Sequence, residues 1–334
     1  MSAASPSTEA EPSGARAWLE QQRGALASLE PMAGGAGARR YWRARFRAGH
    51  SAVLMLARSE DPRILPPALR GLQADRTFLE VRELLERAAI PVPELYAAEP
   101  SGPWILLEDL GDMRLCDLQG AARALRHRES IELLARIHAL EPPAGAPPPL
   151  PFRRAFDEEW VAFELRLFLE PLRADTRAAL EQGFRALAAH IASLPRVLCA
   201  RDYQSQNLMV DGRGRLRLLD FQDAFLAPAV LDLAALLHDS YVAIDAAEQR
   251  ALLARYAECA GGEVDPTQLA ALVVQRKCKD FSRYRFLVYE KHDLRYAPFE
   301  SRARDSVLES LAALPGELRV LAPALRRAFE ELRA

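Results

Sequence analysis

The chain has 334 residues, half of them hydrophobic, and a formal net charge of -2. That length supports one two-lobed unit or two domains with a sizeable core, and the near-balance of charge argues against a nucleic-acid partner, which shows as a strong basic excess. Four cysteines (Cys116, Cys199, Cys259, Cys278) and six histidines are scattered without CxxC, HxxxH or mixed Cys/His ligand spacing. Neither a disulfide framework nor a zinc site is expected, and the thiols fit a reducing, cytoplasmic compartment.

Residues 1–15 are small, polar and slightly acidic; they read as a disordered tail, not a signal peptide. No run approaches eighteen apolar residues, so no membrane span is expected. Residues 16–30 have the spacing of a short amphipathic helix around Trp18, Leu19, Leu26 and Leu29. After glycines at 34, 35 and 37 the pattern alternates, with Trp42, Ala44 and Phe46 on one face and Arg43, Arg45 and Arg47 on the other, which is strand periodicity. A turn at Gly49 and His50 leads to a partner strand, "SAVLMLA". A helix follows over 72–89, then the strand "WILLEDL".

Beyond residue 110 helices predominate, at 121–140, 155–170, 174–193, from "VLDLAALL", 246–260, 267–289 and 302–332. The segment "EPPAGAPPPLP" is too proline-rich for helix and reads as an extended surface loop. Amid the helices lies a β-rich island, "RDYQSQNLMVDGRGRLRLLDFQD", residues 201–223. The organisation expected is an α+β, bilobal chain: a β-rich lobe over 16–109 and a helical lobe over 110–334.

The island carries the chemistry. Phosphoryl transfer requires a carboxylate that orients and deprotonates the attacking hydroxyl, and oxygen ligands for the Mg²⁺ that accompanies a triphosphate. Kinase catalytic loops place an Asn five residues after the base Asp and return by a hairpin to a second, metal-binding Asp. Asp202 and Asn207 have that spacing, and Asp220 follows thirteen positions later across "LMV-DGRG-LRLLD". Singly, each of these residues could equally cap a turn; jointly they are specific.

The stretches "LLARIHAL", "RDYQSQNLMV" and "LLDFQDAFLAPAVLDLAALL" resemble the aminoglycoside phosphotransferase-like kinases. Within that superfamily they look like the bacterial anomeric kinases of N-acetylmuramate and N-acetylglucosamine. "RRYWR", "EDLGD" and "QRKCK" extend the resemblance over nearly the whole chain. It implies a protein-kinase-like fold, ATP and Mg²⁺, Asp202 as catalytic base, Asn207 and Asp220 as metal ligands, and Asp232 as a structural support of the loop. Asp223 could order the turn or touch a metal-bound water. Backbone groups around Glu108 to Leu110 would form the adenine-binding hinge.

Two positions depart from the pattern. Ala200 stands where such loops usually carry His, and Met55 where many relatives carry the phosphate-binding Lys; no Lys precedes Lys277. Arg39, Arg40 and Arg43, beside Gly35 and Gly37, are the cations available to replace it, with Arg40 expected first. The acceptor segment "QRKCKDFSRYRFLVYEKHDLRY" has more basic than acidic residues. Arg276 and Lys279, with Gln204, are expected to face the acceptor, and Tyr284, Phe281 and Tyr289 either stack on a sugar or belong to the core. A basic wall suits a neutral or anionic sugar and disfavours polycationic aminoglycosides or choline. The function expected is phosphorylation of the anomeric hydroxyl of an N-acetylated amino sugar. Alternatives are a kinase of another small hydroxyl compound, or a nucleotide-binding pseudokinase.

Overall fold

The computed structural model describes residues 11–32, 38–57, 69–70, 72, 74–99, 102–145 and 147–332. In chain order the first part comprises α1 (Ala15–Arg23), β1 (Leu26–Pro31), β2 (Arg40–Phe46), β3 (Ser51–Leu56), α2 (Ala74–Arg87), β4 (Leu95–Ala98) and β5 (Trp104–Glu108). The strands form one antiparallel sheet in the order β1-β2-β3-β5-β4. The helix expected over 16–30 is therefore half helix and half strand: Gly24, at φ 87°, ends α1, and Leu26 and Leu29, although helically spaced from Trp18 and Leu19, belong to β1. Ala15, placed in the expected tail, already belongs to α1, while residues 1–10 lie outside the described residues.

Successive strand side chains point to opposite faces. Trp42, Ala44, Phe46, Leu54, Leu56 and Leu106 pack on one face under Trp18 and Leu19 of α1. Met55, Ile105 and Leu107 face the other way, into a core shared with α2 and the helical part.

That part holds α3 (Gly120–His138), α4 (Glu158–Leu169), α5 (Ala174–Ser193), α6 (Val230–Leu237), α7 (Ala246–Ala260), α8 (Pro266–Arg285), α9 (Ala297–Ser310) and α10 (Leu321–Glu331). Two short antiparallel pairs are inserted: β6 (Val197–Cys199) with β9 (Phe225–Ala227), and β7 (Leu208–Val210) with β8 (Leu216–Leu218). Helix starts are fixed by side-chain caps, each worth about 1 kcal/mol. Asp157 accepts from the Trp160 amide, Asp245 from Ala247 and Glu248, and Asp265 from Thr267 ahead of Pro266 at the first helical position. The single helix expected over 302–332 is two, because Leu314 and Pro315 are extended, as a residue preceding proline favours. α8 runs through the middle of this lobe against α4, α6 and α9 and ends in a π-helical turn, Phe286–Glu290.

Candidate active site

A cleft of about 600 Å³ lies between the sheet and the helical part. Its floor is the loop after β6. Arg201 sits at φ 76°, and the chain then tightens: the Gln204 amide donates to the Asp202 carbonyl (3.0 Å) and the Asn207 amide to the Gln204 carbonyl (2.8 Å). Asp239 holds this turn from below, accepting from the Ser205 amide at 2.7 Å. Asn207 leads directly into β7. In the β7–β8 hairpin Leu208 pairs with Leu218, and the Leu219 amide donates to the Asn207 carbonyl at 2.8 Å, which brings Asp220 back beside the loop. Asp220 is at φ 56°. Non-glycine residues with positive φ cost about 1–3 kcal/mol each and persist where the surroundings over-determine them; here one immediately precedes Asp202 and the other is Asp220 itself.

The Asn207 Nδ2 donates to the Asp202 carbonyl at 2.8 Å, so its Oδ1 is the atom offered to the cleft. Asp220 accepts from Gln222 Nε2 (2.9 Å) and from the Arg39 guanidinium (3.1 Å). A cation therefore already lies on Asp220, and an amide oxygen with a carboxylate is an all-oxygen donor set of the kind Mg²⁺ takes. The residues fit that ion. The cleft walls push the Asp220 carboxyl up, Arg39 pulls it down, and Asp202 and Asp223 push it up again; the net direction is upward.

Asp202 shows the opposite balance. Burial pushes its carboxyl up, but Lys279, Arg276 and Arg201 together hold it well below the usual carboxylate range. Arg276 Nη2 donates to Asp202 Oδ1 at 2.7 Å and Lys279 Nζ lies at 3.6 Å. These cations are arranged by a residue the sequence reading missed. Glu164 of α4 is buried, accepts from Arg201 (3.2 Å), Trp160 Nε1 (3.1 Å) and Gln275 (2.9 Å), and lies 3.8 Å from Lys279. Arg201 also reaches Asp223 at 3.3 Å, which ties that residue to the loop. Glu164 comes from a helix about forty residues upstream, and no local spacing marks it.

On the side of the sheet, Arg39, Tyr41, Val53, Met55, Leu107, Leu110 and Gly111 line the cleft. Arg39 lies on Asp220, and burial, which lowers its pKa, is outweighed by Asp220, Tyr41 and Asp223, which raise it. The preference for Arg40 is corrected: it has the same strand parity as Trp42 and Ala44, away from the cleft, and one of its donors goes to the Arg39 carbonyl at 3.0 Å. Arg43 has the right parity but is committed to Asp109 (3.0 Å), Asp112 (2.7 Å) and the Gly111 carbonyl, where it fastens the segment after β5. Glu108 and Leu110 both line the cleft; the Glu108 amide donates to the Glu94 carbonyl at 2.9 Å and its carboxylate binds Arg217. Gly35 and Gly37 lie outside the described residues.

On the helical side, Gln204, Arg276, Lys279 and Arg283 line the cleft with Tyr241, Tyr284 and Tyr296. The basic wall is narrower than the sequence suggested. Lys277 is buried against Asp280 (3.0 Å), Arg285 pairs with Glu300 (2.8 Å), and Arg295 pairs with Asp293 (2.6 Å). Tyr284 is both core and cleft wall, stacked on Tyr296; Phe281 is core, and Tyr289 is exposed.

Asp232 is fully buried on α6 and accepts from the Ala200 amide at 2.7 Å, while His138 Nε2 lies 3.4 Å away. His138, whose Nδ1 meets Tyr256 Oη at 2.7 Å, thus brings an imidazole from α3 to the carboxylate that holds the Ala200 amide. Cys199 joins this group 3.8 Å from His138 Nε2. Burial and Asp232 push its thiol far up, so it remains a thiol donating towards the Ala227 carbonyl at 3.5 Å. The cluster braces the loop through hydrogen bonds.

A sequence profile of the phosphotransferase enzyme family matches residues 28–272. The N-acetylmuramate/N-acetylglucosamine kinase of Caulobacter vibrioides is 31% identical over 264 residues, covering 70% of each chain. The protein of the same name from Pseudomonas putida is 30% identical over 236 residues, covering 68% of this chain and 63% of that one. Among solved structures, spectinomycin phosphotransferase in complex with ADP and spectinomycin has a TM-score of 0.62 at 16% identity, covering 96% of this chain and 98% of that one. The choline kinase LicA of Streptococcus pneumoniae has a TM-score of 0.61 at 17% identity, covering 88% and 97%. The fold is the two-lobed kinase fold of these enzymes, and the chain belongs to the phosphotransferase enzyme family.

Proposed function

We propose that the protein transfers the γ-phosphoryl group of ATP to the anomeric hydroxyl of N-acetylmuramate or N-acetylglucosamine, giving a sugar 1-phosphate for cell-wall recycling in the cytoplasm. The observation that carries this reading is the placement of Asp202 on the cleft floor between Asp220 on one side and Arg276 and Lys279 on the other. The names of the relatives supply the acceptor. No helix among the described residues is long and apolar enough to cross a membrane.

Asp202 accepts the hydroxyl proton and orients the attacking oxygen. A carboxylate held this low is a weak base; the anomeric hydroxyl, more acidic than an ordinary alcohol, needs only modest assistance. Arg39 meets the β- or γ-phosphate in place of the missing lysine, since a guanidinium can bind two phosphate oxygens. Asn207 Oδ1 and Asp220 hold Mg²⁺, which when bound neutralises charge on the triphosphate. Three cations on the acceptor wall, Arg276, Lys279 and Arg283, favour a neutral or anionic sugar.

The test is ADP release by purified protein with N-acetylmuramate, N-acetylglucosamine, simple hexoses, choline and an aminoglycoside. Turnover with the two N-acetylated sugars, and a product whose phosphate is on C1, is the expected result. Turnover confined to choline or the aminoglycoside refutes the acceptor assignment.

A further inference from the structure

The three cations around Asp202 are not equivalent. Arg201 is engaged by Glu164 and Asp223. Arg276, 2% exposed, donates to Asp202 (2.7 Å), to the Arg201 carbonyl (2.7 Å) and to Asp280 (3.4 Å). Lys279 differs. Its ammonium lies 3.6 Å from Asp202 Oδ1 and 3.8 Å from Glu164 Oε1, and it makes no hydrogen bond among the described residues. Its side chain is 20% exposed and lines the cleft.

An ammonium carries three donors, and leaving them unfilled in a partly desolvated cleft is costly. Lys279 is drawn to this place by two carboxylates yet hydrogen-bonded to neither. An oxygen about 2.7–2.9 Å from both the Asp202 carboxylate and Nζ closes a triangle on their 3.6 Å separation, with good hydrogen-bond lengths on both sides. The acceptor hydroxyl that Asp202 deprotonates is such an oxygen.

We infer that Lys279 is a catalytic residue that donates a hydrogen bond to the attacking oxygen of the acceptor while Asp202 takes that oxygen's proton. The inference rests on the reading of Asp202 as the base, and not on which sugar is the acceptor. In the step the acceptor O–H bond breaks and its proton passes to the Asp202 carboxylate. The oxygen forms a bond to the γ-phosphorus of the nucleoside triphosphate, and the bond from that phosphorus to the β,γ-bridging oxygen breaks, ADP leaving with the electron pair. Lys279 keeps its proton throughout and stabilises the negative charge that develops on the attacking oxygen. The carboxylate and the ammonium, meeting on the same oxygen, divide the work: Asp202 takes the proton and Lys279 stabilises the charge left behind.

The competing role for Lys279 is binding the carboxylate of an anionic acceptor, and the two roles separate in a KM-against-kcat comparison. Lys279→Met and, as a second neutral variant, Lys279→Gln are assayed with N-acetylmuramate, which bears a carboxylate, and N-acetylglucosamine, which does not. Both variants are expected to lose about 10²–10³ in kcat, the scale for removing one preorganised donor at a developing oxyanion. The factor is the same for both sugars, ATP KM is unchanged, and Lys279→Arg regains part of the loss. Full kcat in both neutral variants, or a loss confined to the KM for N-acetylmuramate, overturns the inference. Should the wild type use neither sugar, the acceptor assignment fails, and the same ratio read on the hydroxyl compound it does use decides the role of Lys279. An Asp202→Asn enzyme that keeps its turnover removes the base and this inference together.

Discussion

The two walls of the cleft solve the charge problem differently. The acceptor wall is crowded: Arg201, Arg276 and Lys279 interlock through ion pairs with Glu164, Asp202, Asp223 and Asp280. The nucleotide wall is a sheet face of apolar residues with one guanidinium, Arg39, reaching the floor. A dense network fixes geometry before substrate arrives, at the cost of depressing its own base. A sparse wall leaves phosphate charge to a few groups, so each carries more of the nucleotide's binding. Acceptor-wall mutations should therefore act on kcat and nucleotide-wall mutations on ATP KM.

The largest effect expected is at Asp202. Asp202→Asn keeps the size of the side chain but cannot accept the proton, and should cut kcat by about 10²–10⁴ with ATP KM nearly unchanged. Steady-state ADP release measures both. A variant with most of the wild-type kcat would move the base elsewhere.

Arg39 tests the other wall. Arg39→Met removes the cation on Asp220 and should raise ATP KM by about 10–100-fold, the range for losing a charge-assisted hydrogen bond of about 1.5–3 kcal/mol. Arg40→Met should stay within about twofold, because Arg40 faces away from the cleft. Equal effects at the two positions would show that the strand parity assigned here does not govern phosphate binding. That parity was readable in the sequence. Trp42, Ala44 and Phe46 mark the apolar face of β2, and Arg40 falls on it by counting in twos; ranking it first because the strand begins there ignored the period.

Beneath both walls lies the brace at Asp232. Asp232→Ala would leave the buried Ala200 amide without its acceptor and His138 without its carboxylate. A loss of about 1–3 kcal/mol of stability is expected, measured by urea unfolding. A midpoint equal to the wild type would mean the loop holds without it.

What the sequence made legible was local. The five-residue step from Asp202 to Asn207, the hairpin to Asp220 and the loss of the phosphate lysine all lie within short windows, where spacing maps onto geometry. Glu164 and Asp239 were not legible as partners of the loop, because α4 and the segment after α6 meet it only through folding. His138 beside Asp232 is the same case, 94 residues before the carboxylate it meets. In the sheet, β1 was hidden by apolar spacing that continues the helix before it, and β4 is four half-buried residues without alternation.

The smallest effect expected is the one most specific to the hairpin that joins the two walls. Asp211 opens its turn, accepting from the amides of Arg213 and Arg215 at 2.9 Å each and pairing with the Arg215 guanidinium, with Gly214 at φ 75° closing it. Burial pushes the Asp211 carboxyl up, but the Arg215 and Arg213 hydrogen bonds outweigh it and bring it down to about 2. The folded pKa is below the unfolded value of about 3.9. The unfolded chain therefore takes up the proton first, and the contribution is fully present above about pH 5 and lost as the pH falls through 4 towards 2. Asp211→Asn keeps an acceptor oxygen but cannot titrate. Its melting temperature should lie below the wild type's at pH 7 and converge on it near pH 2. A constant difference between the two curves across that range would show that Asp211 titrates alike in both states, and that the hairpin owes nothing to its charge.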